Sequence, residues 1–168
     1  LSSMGKFNED SPYSPNSPYS ASKASSDHLV QAWNKTYNFP TLITNCSNNY
    51  GPWQFPEKLI PLTIMKIIKN DKIPIYGDGA NIRDWLFVDD HVDALKILAI
   101  KGEPGKKYCL GGGQEFNNLE IVKLICEKMD KKLNNTKKSN SLISFVKDRP
   151  GHDFRYSIDN SFIREELN

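Results

Sequence analysis

Apolar residues recur every three or four positions in several segments of the chain, which is the spacing typical of helices. The pattern is clear from Pro18 to about Tyr37. Ser17 followed by Pro18 is a common way to begin a helix, because serine caps free backbone N–H groups and proline suits the first turn. The pattern predicts helices over about 18–37, 57–70, 90–100, 119–129 and 161–167.

Short runs rich in β-branched and aromatic residues lie between these helices, as is typical of strands. The predicted strands cover 41–46, 73–76, 82–88, 107–110 and 142–146, and polar loops are expected at 1–16, 47–55, 131–140 and 149–156. We expect Asp89 or Asp90 to cap the helix that ends near residue 100. We expect Asn117 or Asn118 to cap the helix after the three glycines at 111–113. Strands that alternate with helices predict an α/β fold with at least some parallel pairing.

The composition excludes several classes of protein. The chain has 168 residues, about one domain, and its 22 basic and 20 acidic residues give a net charge of +2, too small for a typical nucleic-acid binder. Its apolar runs are far shorter than the roughly 20 residues that a membrane helix needs. Cys46, Cys109 and Cys126 lack metal-ligand spacing and are odd in number. We therefore expect a reducing, cytoplasmic compartment and no metal site.

Tyr19 and Lys23 form the sharpest local pattern that carries chemistry. They are four positions apart at the start of the first predicted helix, so they share one face. A lysine ammonium or a positively charged nicotinamide ring beside a tyrosine stabilises its phenolate form. Such a pair can take a proton from a sugar hydroxyl while hydride leaves the same carbon. A bare YxxxK is more often an ordinary pair on a helix surface, so the surrounding sequence has to decide.

Four longer segments supply that context: SPYSASKASSDHLV, CSNNYGPWQFPEKLIP, PIYGDGANIRDWLFVDDH and DRPGHDFRYSID. The first resembles the active-site helix of the extended short-chain dehydrogenase/reductase family. The other three resemble the dTDP-glucose 4,6-dehydratases, in the NAD-dependent epimerase/dehydratase group. The resemblance implies part of an extended Rossmann-type α/β fold with a smaller C-terminal substrate-binding α/β region. Residues 1–50 would be the end of the NAD-binding domain, and residues 51–168 the sugar-nucleotide-binding region, mixed with returning Rossmann elements.

The resemblance also implies a reaction, with NAD as cofactor and dTDP-glucose as substrate. In this family, hydride passes from C4 of the glucosyl group to NAD, water is eliminated across C5 and C6, and the hydride returns at C6. Tyr19 matches the base that acts at O4. Lys23 matches the lysine that tunes this tyrosine and hydrogen-bonds the nicotinamide ribose, so both residues also contact the cofactor. Asn49 matches a residue near the nicotinamide.

Nine further residues match substrate-binding positions of the family. The resemblance implies contacts with phosphates or sugar for Asn48, with the diphosphate for Lys58, Leu59, Arg83 and Arg149, with the base for Pro74 and Tyr76, and with ribose or phosphate for Asn118 and His152. Guanidinium groups suit a diphosphate because their planar donors meet phosphate oxygens two at a time. Taken singly, the asparagines would instead hold a turn, the arginines a surface ion pair and the histidine a structural contact.

Two features of the family pattern have no counterpart in the sequence. No glycine-rich dinucleotide motif precedes Tyr19. The Thr-Asp-Glu triplet, whose carboxylates perform the dehydration in the family, is absent too. We therefore expect a segment of a longer dehydratase that is catalytically deficient in isolation. Asn45 stands where the family pattern leads us to expect arginine.

Two alternative functions stay open. The segment could be a non-catalytic sugar-nucleotide-binding or dimerisation module, or part of a related epimerase or of a UDP- or GDP-sugar dehydratase. In the family the YxxxK helix helps to build a homodimer interface, and Leu29, Trp33 and Tyr37 suit that role here.

The remaining features receive structural interpretations. The glycines at 111–113 lack the spacing of a phosphate loop. Asp89-Asp90-His91 is interpreted as a helix start rather than a metal site, and Glu9-Asp10 as a solvated pair in a loop.

Overall fold

The computed structural model describes residues 5–167, which form five α-helices, a 3-10 turn and eight short strands. The helices are α1 (Pro18–Tyr37), α2 (Leu59–Ile68), α3 (Val88–Lys101), α4 (Asn118–Leu133) and α5 (Ser161–Leu167), and the 3-10 turn is Ser139–Leu142. The strands are β1 (Ile43–Cys46), β2 (Asn48–Tyr50), β3 (Ile73–Tyr76), β4 (Ile82–Phe87), β5 (Lys107–Leu110), β6 (Glu115–Asn117), β7 (Ile143–Val146) and β8 (Arg155–Tyr156). Every predicted helix and strand is present, while residues 1–4 of the predicted N-terminal loop lie outside the described residues.

The strands form three small sheets in which most pairings are parallel. β1 pairs with β5 and β3 with β7, both in parallel, with Ile43 opposite Lys107 and Ile73 opposite Ile143. In the third sheet, β4 is flanked by β2 and β6 and also pairs with β8. β2 and β8 run parallel to β4, and β6 runs antiparallel. The predicted α/β fold with parallel pairing is confirmed.

Two groups of buried apolar residues hold these elements together. One group draws on α2, β3, α4 and the 3-10 turn and contains Ile67, Ile73, Ile75, Val122, Cys126 and Leu142. The other draws on β4, α3, β5 and α5 and contains Leu86, Leu98, Tyr108, Leu110 and Leu167. Burial of one such side chain stabilises a fold by about 1.5–3 kcal/mol. Each group therefore anchors its own helices and strands.

Helix α1 begins and ends as predicted, but none of its residues is buried. The Ser17 hydroxyl accepts a hydrogen bond from the Ser20 N–H at 3.1 Å, and Pro18 occupies the first helical position. Asn38 closes the helix in the left-handed conformation with φ 55°. The exposed apolar side chains here are Leu29, Trp33, Tyr37 and, just after the helix, Phe39. The predicted apolar face of α1 is therefore uncovered in this chain.

The two predicted helix caps have different outcomes. Asn117 caps α4: its side chain accepts from the Glu120 N–H at 2.8 Å, and the Glu120 carboxylate accepts from the Asn117 N–H at 2.9 Å. Helix α3 instead begins at Val88, directly after β4, so Asp89 and Asp90 lie inside its first turn. The prediction that one of these aspartates caps the helix is wrong. Their carboxylates instead interact favourably with the positive, N-terminal end of the helix dipole.

Three short strands were not predicted from the sequence. β2 lies within 47–55, β8 within 149–156, and β6 follows the three glycines. All three pair with β4. The predicted loop at 131–140 is also partly wrong, because α4 continues to Leu133 and the 3-10 turn begins at Ser139.

The N-terminal loop is tied to the rest of the chain. Phe7 forms a parallel bridge with Ile158, and the Glu9 carboxylate accepts a hydrogen bond from the Cys109 N–H at 2.8 Å. The interpretation of Glu9 as a solvated residue is therefore wrong, whereas Asp10 is exposed.

Asp130 joins the end of α4 to the 3-10 turn. Its carboxylate is buried and accepts hydrogen bonds from the Ser139 N–H at 3.0 Å, from the Ser139 hydroxyl, and from the Asn135 amide at 3.2 Å. These bonds, led by the one from the serine hydroxyl, lower the pKa of Asp130 below its ordinary value.

The glycines at 111–113 pass very close to other parts of the chain. A Cβ atom on Gly112 would lie 1.9 Å from the Trp85 carbonyl oxygen, and one on Gly111 would lie 2.6 Å from the Asp84 carboxylate. Gly113 has open space around it but a φ of +70°. The lack of room explains the first two glycines, and the backbone conformation explains the third.

We expect Gly112→Ala to destabilise the protein by about 3 kcal/mol or more, because the β4 backbone has to move to admit a methyl group. The matched control, Gly113→Ala, has room for its methyl group and should cost only about 1–2 kcal/mol for its left-handed backbone. Urea unfolding of both variants measures the difference. Equal losses at the two positions would contradict the steric explanation.

We expect Asp130→Asn to lower the free energy of unfolding at neutral pH. Because the pKa of Asp130 is depressed in the folded state, its stabilising effect is complete above the ordinary carboxyl pKa of 3.8 and is lost as the pH falls through the folded value. Urea midpoints of both proteins should therefore converge at low pH. A gap that stays constant with pH would contradict this, and exposed Asp10→Asn serves as the control.

Candidate active site

Tyr19 and Lys23 lie in the first two turns of α1. Tyr19 is 74% exposed, and Lys23 is exposed as well. The neighbouring Ser22 hydroxyl donates to the Tyr19 backbone carbonyl at 2.7 Å. It therefore forms no hydrogen bond with the Tyr19 hydroxyl or the Lys23 ammonium. Within residues 5–167, no hydrogen bond or ion pair engages the Tyr19 hydroxyl or the Lys23 ammonium. Both groups are therefore available to a ligand.

The predicted asparagine pair lies on β2, next to the centre of the β4 sheet. Asn48 is opposite Trp85 in the parallel register. The Asn49 amide nitrogen donates to the Ser47 carbonyl at 3.1 Å and to the Cys46 sulfur at 3.2 Å. In the described part of the chain the Asn48 amide makes no hydrogen bond, so it differs from its neighbour in being free to contact a ligand.

A second group of predicted residues comes together beyond β3 and β4. The Arg149 guanidinium carbon lies 5.2 Å from the centre of the Tyr76 ring, which is a cation–π distance. Arg83 is 9% exposed, and its guanidinium donates at 2.7 Å to the carbonyls of Ile82 and Asp153. Burial lowers the pKa of Arg83; Asp153 opposes this shift and the nearby charge of Arg149 adds to it. The Arg149 guanidinium thus lies over the partly exposed Tyr76 ring, and its charge also acts on the buried Arg83.

His152 belongs to the same group through Asp148. The Asp148 carboxylate lies 2.7 Å from the His152 Nδ1 and accepts the Arg149 N–H at 2.7 Å. The hydrogen bond with His152 is the main reason that the pKa of Asp148 is lowered. A Cβ atom on Gly151 would lie 3.2 Å from the Asn16 carbonyl. The 148–152 segment therefore approaches the chain just before α1, which carries Tyr19 and Lys23.

The other predicted substrate residues lie at helix starts or in a strand. Lys58 immediately precedes α2 and forms an exposed ion pair with Glu57 at 2.9 Å, a contact that stabilises little. Leu59 begins α2 and packs against the first apolar group. Asn118 begins α4, and its N–H donates to the Asn81 carbonyl at 3.1 Å. Pro74 lies in β3, opposite Ser144. In the described residues no hydrogen bond or ion pair joins these four to Tyr76 or Arg149.

Asn45 fills the position where arginine was expected. Its amide donates to the Asp27 carboxylate at 2.9 Å, and the Tyr13 hydroxyl donates to the same oxygen at 2.8 Å. The Lys107 ammonium lies 5.1 Å from the centre of the Tyr13 ring. Burial, and then the bond to Asp27, raise the pKa of Tyr13 well above its ordinary value. This phenol therefore stays neutral and is no candidate base.

The sequence matches the family described as GDP-mannose 4,6 dehydratase over residues 2–168. The chain belongs to this family. Its α/β architecture is also that of solved members, as the structural comparisons below show. The resemblance inferred from the four segments is confirmed.

Curated relatives and solved structures agree with this assignment. A dTDP-glucose 4,6-dehydratase of Xanthomonas campestris is 53% identical over 169 residues, which cover 99% of this chain and 48% of that protein. The crystal structure of a Bacillus anthracis dTDP-glucose 4,6-dehydratase in complex with NAD is 45% identical, with a TM-score of 0.88 over 99% of this chain and 50% of that one. The Streptomyces venezuelae enzyme, solved with NAD, gives 43% identity and a TM-score of 0.89 over 98% and 49%. The chain thus spans about half the length of these relatives.

The described residues fit one end of an NAD molecule. Tyr19 and Lys23 offer an unpartnered hydroxyl and ammonium, which suit a ribose hydroxyl and a nicotinamide ring.

The three cysteines are free thiols. Residues 5–167 contain no group of three or more metal-ligating side chains placed to hold a metal ion. Within the same range no helix is long and apolar enough to cross a membrane.

Two residues of this region were missed by the sequence reasoning. Asp148 holds His152, and His91 on α3 lies 2.8 Å from the Asn49 side-chain oxygen. The sequence did signal His91, in Asp89-Asp90-His91, but only as a possible metal motif. Asp148 carries no signal of its own apart from its position in the DRPGHD segment. Both residues act on other side chains, which short patterns do not reveal.

Proposed function

We propose that the protein containing this chain is an NAD-dependent dTDP-glucose 4,6-dehydratase, a hydro-lyase that forms dTDP-4-keto-6-deoxyglucose. The observation that carries the proposal is the free Tyr19–Lys23 pair at the start of α1, in a chain that belongs to a sugar-nucleotide dehydratase family. Relatives at 53% identity are named as enzymes of this activity. The chain supplies the proton-transfer pair and the sugar-nucleotide site.

Tyr19 takes the proton from the O4 hydroxyl of the sugar. Bound NAD would supply the acceptor for the C4 hydride and, once water has been lost across C5 and C6, the donor of that hydride at C6. The Lys23 ammonium, one helical turn away, stabilises the Tyr19 phenolate and donates to the nicotinamide ribose. Asn49 would lie near the nicotinamide of bound NAD, and Asn48 would contact the phosphates or the sugar. The exposure of Tyr19 supports this assignment, because a base has to reach its substrate.

The nucleotide binds at the ring of Tyr76 and the guanidinium of Arg149. Arg83 already donates to the carbonyls of Ile82 and Asp153, so it acts mainly by holding the 153–154 segment and by its charge. Arg149 has its guanidinium on an exposed surface and is the main phosphate donor. The other contacts are with the diphosphate for Lys58 and Leu59, the base for Pro74, and ribose or phosphate for Asn118 and His152.

The exposed apolar face of α1 supports a homodimer formed through this helix, with Leu29, Trp33 and Tyr37 at its centre.

The three free thiols support a cytoplasmic protein. Residues 1–50 are assigned to the end of the NAD-binding domain and 51–168 to the sugar-nucleotide region.

We expect the intact protein that contains this chain to bind dTDP more tightly than UDP or GDP. Arg149→Met should weaken dTDP binding roughly tenfold to a hundredfold, because it removes charge-assisted hydrogen bonds to phosphate. Arg164→Met, on α5, is the matched control and should bind normally. Calorimetric titration measures the affinity of the wild-type protein for the three nucleotides and the affinity of both variants for dTDP. Tighter binding of GDP would favour a GDP-sugar enzyme instead, and binding that survives Arg149→Met would remove Arg149 from the site.

We expect Tyr19→Phe and Lys23→Met in the intact protein to lower the rate of dTDP-glucose turnover by a factor of about 10²–10⁴, since each removes part of the proton transfer. Binding of dTDP should be unchanged. Lys35→Met, at the far end of α1, is the control and should retain full activity. If the wild-type protein binds dTDP but shows no turnover, the alternative of a non-catalytic binding module is favoured.

A further inference from the structure

His91 lies where α3 meets the β4 sheet, and it reaches a residue 42 positions away in sequence. Its Nδ1 lies 2.8 Å from the Asn49 side-chain oxygen. The turn that follows β2 also packs closely against the same helix. A Cβ atom on Gly51, in this turn, would lie only 2.4 Å from a methyl carbon of Val88. The first turn of α3 therefore fixes both the strand β2 and the turn after it.

The hydrogen bonds of Asn49 settle which nitrogen of His91 carries the proton. The Ser47 carbonyl can only accept, so the Asn49 atom that faces it at 3.1 Å is the amide nitrogen. The amide oxygen then faces His91 and has to receive a hydrogen. Nδ1 is therefore the protonated nitrogen of a neutral ring, and burial lowers the pKa of His91, which favours this neutral form.

Asn49 is held on every side by the protein. Its amide nitrogen also reaches the Cys46 sulfur at 3.2 Å, and its backbone carbonyl accepts from the Gln54 amide at 2.7 Å. Asn48, the next residue, has a free amide and lies on the opposite face of β2, because side chains alternate along a strand. Locking Asn49 therefore fixes the backbone that aims Asn48.

We propose that His91 is a positioning residue of the sugar-nucleotide site, which holds Asn49 through its Nδ1–H and thereby aims Asn48 at the substrate. This inference rests on the proposed function for the identity of the substrate. It adds a residue that touches neither substrate nor cofactor. Neutral hydrogen bonds of this kind hold a side chain in one orientation without adding a charge to the site.

The test compares His91→Leu, which removes the donor, with His91→Asn, whose amide nitrogen takes the place of Nδ1. In the intact protein, we expect His91→Leu to raise the KM for dTDP-glucose about fivefold to tenfold with a smaller change in kcat. His91→Asn should restore the KM to within about twofold of the wild type. His28→Leu, an exposed histidine on α1, is the control. An unchanged KM in His91→Leu, or equal defects in the Leu and Asn variants, would overturn the proposal.

Two further measurements keep the test decisive. Asn49→Ala breaks the same link from the other side, so it should raise the KM by a similar factor, and the double variant with His91→Leu should be no worse. If His91→Leu does not fold, Asn49→Ala alone still tests the hydrogen bond between His91 and Asn49. Nitrogen NMR of the wild-type imidazole should show a protonated Nδ1, and a protonated Nε2 would overturn the geometry. The NMR result does not depend on turnover, so it separates a failure of this inference from a failure of the proposed function.

Discussion

The backbone of β4 is the constraint on which the rest of the structure depends. A strand has two edges, and both edges of β4 are occupied: β6 lies along one, and β8 and then β2 lie along the other. These partners come from distant parts of the sequence. The Glu115 carboxylate reinforces the arrangement, because it binds the Arg155 guanidinium at 2.8 Å and the Ser157 hydroxyl at 2.7 Å. Buried backbone groups need such partners, so the three segments are held beside one another.

The candidate site is a consequence of this pairing. β2 brings the asparagine pair to β4, and β8 brings the 148–152 segment back towards Tyr76 and Arg83. No residue of α1 is fully buried, and Tyr19 and Lys23 are exposed close to the chain that the 148–152 segment approaches. The asparagine pair is thus held by the β4 sheet, whereas Tyr19, Lys23 and Arg149 are exposed to solvent.

The sequence predicted the elements whose signals are local. Helix α1 was predicted to its ends, because Ser17, Pro18 and Asn38 carry that information themselves. β2, β6 and β8 were missed because they are too short for a periodic pattern and exist through their pairing with β4. The cap of α3 was wrong because the strand runs into the helix without a polar residue between them. The family resemblance supplied the site residues, and the structure groups Tyr76, Arg83, Arg149 and His152, whereas the contacts that hold them depend on folding.

Arg83 has a consequence for the electrostatics of the site. Its guanidinium is buried and bound to carbonyl oxygens, so its orientation is set before any ligand arrives. A fixed positive charge loses no rotational freedom when an anion approaches, and salt screens a buried charge less than an exposed one. The exposed Arg149 side chain loses rotational freedom when it binds an anion, and salt screens its charge more strongly. A diphosphate at this site would therefore be attracted by one nearly salt-independent charge and one salt-sensitive charge, so raising the ionic strength would weaken its binding without abolishing it.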